Sequence, residues 1–169
     1  MNGIPFGRRT LHLVAALVLL GASAAAAGEP PVAGVTAGGI EAEFLGLLNG
    51  TRVAAGLAPL EVEGGLVAFA RAHTRQMIDS GDIFHSENTT RVAAAPTGWR
   101  RLGENVGVGS TPERLHALFM NSPRHRDNIL GDYSGVAIGA QRASDGQLYV
   151  TVVFLKRANL PQAQLARKH

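Results

Sequence analysis

Three short segments of this chain hold residues able to do chemistry in water near neutral pH. Phe84-His85-Ser86 and the run Ser122 to Leu130, S-P-R-H-R-D-N-I-L, each carry a histidine, and Gly103-Glu104-Asn105 carries a carboxylate. An imidazole changes charge near neutral pH and serves as a proton shuttle or a metal ligand. A carboxylate beside it can orient the ring, accept a proton or bind a cation. The three segments lie far apart in sequence, and their spacing does not itself bring them together.

Several other chemistries are excluded by pattern. The chain has no His-Glu-x-x-His, no glycine-rich phosphate loop opening a helix and no calcium loop of the D-x-D-x-D-G type. The stretch Gly103 to Gly109, G-E-N-V-G-V-G, contains a G-x-G but lacks the strand and the ribose-binding acid of a dinucleotide site. Ser122 has no G-x-S-x-G elbow around it and reads as a cap beside Pro123 rather than a nucleophile. With no cysteine in the chain, a thiol nucleophile, a disulfide framework and a lipoprotein anchor are all ruled out.

The elements that must position these residues follow from periodicity. Ile40, Phe44, Leu47 and Leu48 recur at helical spacing, with Gly56 as the stop, and Pro59-Leu60 then redirects the chain. A second helix is predicted from about Gly65 to Ser80, with Leu66, Ala70, His73 and Met77 on one stripe and Gly81 as its cap. His73 therefore points inward as a core histidine. Asp82 to Gly98 reads as a long loop around His85. Trp99 to Leu102 is a brief strand, and Gly103, Gly107 and Gly109 break up the chain after it. Thr111 caps a third helix with Pro112 at its first position, an apolar face of Leu115, Leu118 and Phe119, and Pro123 as its end. His125 falls in a turn after that stop. Gly135 to Arg142 and Gln147 to Lys156 alternate around Ser144-Asp145-Gly146, the pattern of a β-hairpin.

The 169 residues, 46% of them hydrophobic, suffice for one domain with a core. Arg8-Arg9, the apolar run Leu11 to Leu20 and the small residues up to Gly28 read as a secretory signal peptide over residues 1–27. That run is shorter than the roughly 20 residues a membrane span needs, so no transmembrane segment is expected after cleavage. Residues 28–39 read as a flexible linker, 40–157 as the domain and 158–169 as a disordered C-terminal tail. Removing Arg8 and Arg9 with the signal leaves 14 basic against 13 acidic residues, so most of the net charge of +3 leaves with it. The remaining arginines form short separate clusters, which excludes nucleic acid as the expected partner.

Taken in order with Leu47-Leu48-Asn49, Arg52, Gly56 and Pro59-Leu60, the three segments resemble the CAP superfamily of cysteine-rich secretory, antigen-five and pathogenesis-related proteins, in its cysteine-free bacterial branch. The resemblance covers residues 40 to 157. It implies an α/β fold, a three-layer α/β/α sandwich with a small, mostly antiparallel sheet and a C-terminal hairpin. It also implies that His85, Glu104 and His125 meet at the floor of a cleft. Such a set could hold Zn2+ with an open position for water, or move protons without metal. Alternatively, the two histidines hydrogen-bond Glu104 and backbone carbonyls to tie the long loop to the sheet.

One departure from the family pattern is Ser122, which stands where eukaryotic members carry a second glutamate; Glu87 or Glu113 are the candidates to replace it. Arg124 and Arg126 flank His125, and one of them is expected to pair with Asp127 or Glu104. His116 is expected on an exposed face with Glu113 and Met120. Trp99 and Tyr133 read as packing residues near the cleft. The expected function is a secreted or periplasmic, monomeric binding module for a lipid, a cell-envelope component or another protein. A zinc-assisted hydrolase using His85, Glu104 and His125 is the alternative.

Overall fold

The computed structural model describes residues 37–158. The expected signal peptide, most of the linker and all of the tail beyond residue 158 lie outside them. In chain order the elements are α1 (Ala37–Ala54), β1 (Glu61–Val62), α2 (Gly64–Ser80), α3 (Asn88–Ala94), β2 (Trp99–Gly109), α4 (Pro112–Asn121), α5 (Pro123–Ile129), β3 (Gly135–Arg142) and β4 (Leu148–Arg157). The four strands lie in the order β1-β3-β4-β2, with β1 parallel to β3 and the other two pairings antiparallel.

Helices cover both faces of the sheet, as expected of a three-layer sandwich. Against one face, Ile40, Phe44 and Leu48 of α1 and Leu115 and Phe119 of α4 pack on Val136, Ile138, Val150, Val152 and Phe154. The Phe44 and Phe119 rings meet edge to face at 6.0 Å, the geometry that ring quadrupoles favour. Against the other face, Leu66 and Ala70 of α2 pack on Ala137, Val153 and Leu155. Gly139 permits that contact, because a Cβ there would lie 2.4 Å from the backbone of Ala70.

The helix signals are met locally. Gly81 adopts φ 68° and its N–H bonds the carbonyls of Met77 and Ile78, closing α2 in the left-handed conformation glycine tolerates. The Thr111 hydroxyl accepts from the Arg114 N–H, capping α4 behind Pro112. The motif Asn49, Arg52, Pro59-Leu60 also has a physical reading. The Asn49 side chain donates to the Leu60 carbonyl at 3.1 Å and accepts from the Leu60 N–H at 2.8 Å, fastening the redirected chain to α1.

Five local expectations are corrected. The segment Asp82 to Gly98 is not all loop, since it contains α3. The glycines at 103, 107 and 109 do not break the chain, because β2 runs through them and pairs with β4 along its length. They share one face of β2, where a Cβ at Gly103 would meet Tyr133 and Asn128, and one at Gly107 would meet Phe119 and Leu115. Pro123 ends α4 but opens α5, so His125 sits in a helix rather than a turn. Leu118 is 54% exposed and is not part of the α4 core face. His116 is half-buried against α1, with its Nε2 3.1 Å from the Thr51 hydroxyl and its ring edge-on to Phe44, rather than on an exposed face.

Candidate functional site

Strand β2 is an edge of the sheet, and alternate residues on it face opposite layers. Leu102 packs into the α2 side, and Glu104 receives the segment His85 to Arg91. Asn105 faces the other way, where its Nδ2 donates to the His125 carbonyl at 3.0 Å. The two histidines therefore reach β2 from the two helical layers.

Glu104 is buried and both its carboxylate oxygens accept hydrogen bonds. Oε1 accepts from the Ser86 N–H and from His85 Nδ1–H, both at 2.9 Å, and lies 3.2 Å from Arg91 Nη1. Oε2 accepts from the Ser86 hydroxyl at 2.5 Å. Arg91 also donates to the Ser86 hydroxyl at 2.9 Å and to Asn88 Oδ1 at 3.2 Å. A buried charge needs this density of partners, and the result is a clasp that holds the segment before α3 on β2. The expected tie between loop and sheet is thus present through His85, with Ser86 and Arg91 added. The arginine on Glu104 is Arg91, not Arg124 or Arg126; Arg126 donates instead to the Met120 carbonyl, and neither residue forms an ion pair with Asp127 or Glu104 among the described residues. Nothing in the sequence around Arg91 marks it, because its role depends wholly on where α3 docks.

With Nδ1 committed to Glu104, the His85 side chain is 59% exposed and its Nε2 is left for a ligand. His125 is half-buried, its ring 4.8 Å from that of Phe119. Burial holds its pKa below the ordinary 6.5, and repulsion from His85 lowers it further, so the neutral imidazole is favoured. Asn128 fixes α5 from beneath: its Nδ2 donates to the Glu104 carbonyl and to Asn105 Oδ1, and its Oδ1 accepts from the Tyr133 hydroxyl. Tyr133 is buried, stacks obliquely on Phe154 and carries the Arg101 guanidinium 4.9 Å above its ring, so it packs beneath the site as expected. Trp99 packs at the margin of the α2-side core.

His73 is a buried core residue. Its Nε2 bonds the Phe84 carbonyl at 2.8 Å, and its ring stacks with Phe69 and meets Phe84 edge-on. These rings form one wall of a pocket of about 370 Å3 that opens beside His85 and is completed by Ala72, Gln76, Glu87 and Thr90. Glu113 lies elsewhere, interacting with Thr111 and Glu43, and does not replace the missing acid. Ser122 caps α5 by position, yet its hydroxyl makes no capping bond.

The three-ligand zinc set implied by the family resemblance is not assembled here, and both Glu104 oxygens already accept from protein donors. Among the described residues no group of three or more His, Cys, Asp or Glu is arranged to hold a metal ion.

With this geometry in view, comparison with known proteins is decisive for the family. The family model for cysteine-rich secretory proteins, CAP, matches residues 45–154. The chain belongs to the CAP family. It is a CAP-domain protein of bacterial type, and it has no cysteine. The uncharacterized protein YkwD of Bacillus subtilis is 30% identical over 106 residues, a match spanning 59% of this chain and 41% of that protein. The chain therefore covers less than half the length of this curated relative.

Solved structures share the fold. An outer surface protein from Borrelia burgdorferi aligns over 69% of this chain and 91% of its own, with a TM-score of 0.63 and 18% identity. An extracellular protein containing an SCP domain from Bacillus anthracis aligns over 71% of this chain and 41% of its own, with a TM-score of 0.58 and 23% identity. A cysteine-rich secretory protein from Staphylococcus aureus aligns over 77% of this chain and 42% of its own, with a TM-score of 0.59 and 20% identity. Among the described residues of this CAP domain, no helix is long and apolar enough to cross a membrane.

Proposed function

We propose that this CAP domain is an exported binding module whose ligand seats an apolar portion in the pocket beside His85. The observation that carries the reading is the pocket itself: Phe69, Ala72 and Phe84 supply apolar wall, and His85, Gln76, Glu87 and Thr90 supply a few polar groups at one side. Its volume of about 370 Å3 is in the range of small-molecule sites, and this mix of lining is what such sites use to combine affinity with orientation. Export is supported by the signal-like residues 1–27 and by the extracellular relative from Bacillus anthracis. A lipid or envelope component fits this chemistry better than a protein partner, because the feature is a concavity rather than a flat face.

Glu104 acts here as a positioning residue. A general base must reach the substrate, and the Glu104 carboxylate is buried, with its oxygens turned to Ser86, His85 and Arg91.

The test is titration of the purified domain with decanol, an uncharged probe, followed by the aromatic NMR signals of Phe69 and Phe84. Saturable shifts are expected in the wild type. They should disappear in Ala72→Phe, which fills the pocket from α2 without touching the core. Shifts that persist in Ala72→Phe would refute the assignment, as would peptide or envelope-glycan turnover that is lost in His125→Ala.

A further inference from the structure

The sheet has two edges, β2 with Glu104 on it and β1 at the opposite side. β1 is only two residues long and runs parallel to β3. The Glu61 N–H donates to the Ser134 carbonyl at 3.1 Å, and the Glu63 N–H to the Val136 carbonyl at 2.7 Å. Main-chain groups of successive residues in a strand point to opposite sides, so those of Val62, between these two, point away from the sheet. Neither its N–H nor its carbonyl has a hydrogen-bond partner among the described residues, and the residue is 61% exposed. An exposed edge with unused main-chain groups is a template for another strand.

Two hollows meet at Val62. One, of about 290 Å3, lies between α1 and α2 and is walled by Ala42, Leu45, Val62, Val67, Val136 and Ile138. Its charged lining groups, Glu41 and Arg71, satisfy each other, with Arg71 Nε donating to Glu41 Oε1 at 2.7 Å. This hollow therefore suits an aliphatic side chain and offers nothing to a charged one. The other, of about 540 Å3, is bordered by Glu61, Glu63, Asp132, Lys156 and Arg157 and by Arg52. Lys156 pairs with Asp132, Arg157 pairs with Glu63, and Arg52 donates to backbone carbonyls. Glu61 is exposed and forms no ion pair or side-chain hydrogen bond among the described residues, so its charge is the one left to be met by a partner. A second folded copy would bring a surface to a two-residue edge set between hollows, whereas an extended segment can enter both.

We infer that the β1 edge is a docking site for an extended peptide segment of a partner protein. The segment pairs its main chain with Val62, seats an aliphatic side chain between α1 and α2, and sets a basic side chain against Glu61. Main-chain bonds supply affinity in this mode and the flanking hollows supply selectivity. The surface shares no lining residue with the pocket beside His85, so either site can fail without the other.

The probe is the blocked peptide acetyl-Lys-Val-Thr-Leu-amide, titrated into the isotope-labelled protein. Saturable NMR shifts are expected for the Val62 amide and the Val67 methyl groups, with the Phe69 and Phe84 rings unmoved. Affinity should fall at least about tenfold in Ala42→Phe, which fills the aliphatic hollow from the exposed side of α1, and in Glu61→Lys. Glu61→Lys changes only an exposed side chain, so it keeps the fold, and it should bind acetyl-Glu-Val-Thr-Leu-amide in preference to the lysine peptide. Val62→Pro removes the outward N–H from an edge position where proline is tolerated, and should also abolish binding. The absence of saturable shifts would overturn the inference, as would an affinity unchanged in both Ala42→Phe and Glu61→Lys. A peptide methylated at its main-chain nitrogens that binds as well as the parent would mean that the hollows take side chains without strand pairing, and would refute the docking mode. Sedimentation showing a dimer that is lost in Val62→Pro would give the edge to a second copy of the chain and refute the partner segment.

Discussion

At the scale of single residues, one buried carboxylate organises the segment docked on β2. Glu104 is more valuable for the four groups that converge on it than for any reaction of its own, because each would cost about 1–3 kcal/mol if buried without a partner. The histidines carry a separate, measurable consequence. Burial lowers the pKa of His116, and burial followed by repulsion from His85 lowers that of His125, both from the ordinary value of 6.5. Below pH 6.5 the unfolded chain therefore takes up protons that the folded chain refuses. Stability from these groups is fully present above that pH and is lost as pH falls through 6.5 toward the depressed folded values, below which the decline flattens. Urea midpoints measured from about pH 8 to about pH 5 should fall, and the His116→Asn/His125→Asn double variant should fall less. A wild-type midpoint that rises on acidification would contradict this assignment of neutral histidines.

At the scale of elements, glycine decides how closely the layers meet. The three positions Gly46, Gly107 and Gly139 make a graded test. An added Cβ meets nothing within 4 Å at Gly46, side-chain carbons of Phe119 and Leu115 from 2.8 Å at Gly107, and the backbone of α2 at 2.4 Å at Gly139. Gly46→Ala in α1 should stabilise by about 0.5–1 kcal/mol, because alanine loses less entropy in a helix. Gly107→Ala should cost about 1–2 kcal/mol as rings shift, and Gly139→Ala about 3 kcal/mol or more, since backbone cannot yield cheaply. Denaturant unfolding of the three variants should give that order, and any other order would refute the packing account. The same residues explain why part of the fold was hard to read in sequence. The long helices were legible because Leu66, Ala70, His73 and Met77 form a stripe and Gly81 closes it. Strand β2 was not, because G-E-N-V-G-V-G resembles a break until α4 and α5 are known to lie against one face of it. Helix α3 was hidden because none of its residues is buried, which leaves no apolar periodicity to detect. For the site, His85 and His125 stood out as titratable residues in polar segments, but that they share β2 with Glu104 came only through family resemblance. Arg91 gave no signal at all.

At the scale of the whole molecule, α5 is held in place from a distance, and Arg52 is the residue that does it. Its side chain is buried near the C-terminal end of α1, where burial lowers its pKa and Asp132 partly opposes that shift. Nε donates to the Ala58 carbonyl at 2.9 Å, Nη1 to those of Ile129 and Gly131 at 2.7 and 2.9 Å, and Nη2 to that of Tyr133 at 3.3 Å. One planar fork thus joins α1, the turn into β1 and the connection from α5 to β3. That connection includes Tyr133, whose hydroxyl holds Asn128, and Asn128 fixes α5 against β2. The position of His125 therefore depends on a guanidinium that makes no hydrogen bond to it. Arg52→Met keeps the apolar stem but strands four carbonyls, and should destabilise by about 3 kcal/mol or more, beyond any single hydrogen bond. Arg52→Lys should recover only part of this, because a single ammonium cannot span acceptors set out for a planar fork. If the linkage runs as described, amide hydrogen exchange in α5 should accelerate in Arg52→Met more than exchange in α2, which packs on the opposite face of the sheet. A uniform acceleration across both helices would mean that Arg52 contributes only global stability. Exchange confined to the chain around Ala58 would mean that α5 is held by Asn128 and Asn105 alone.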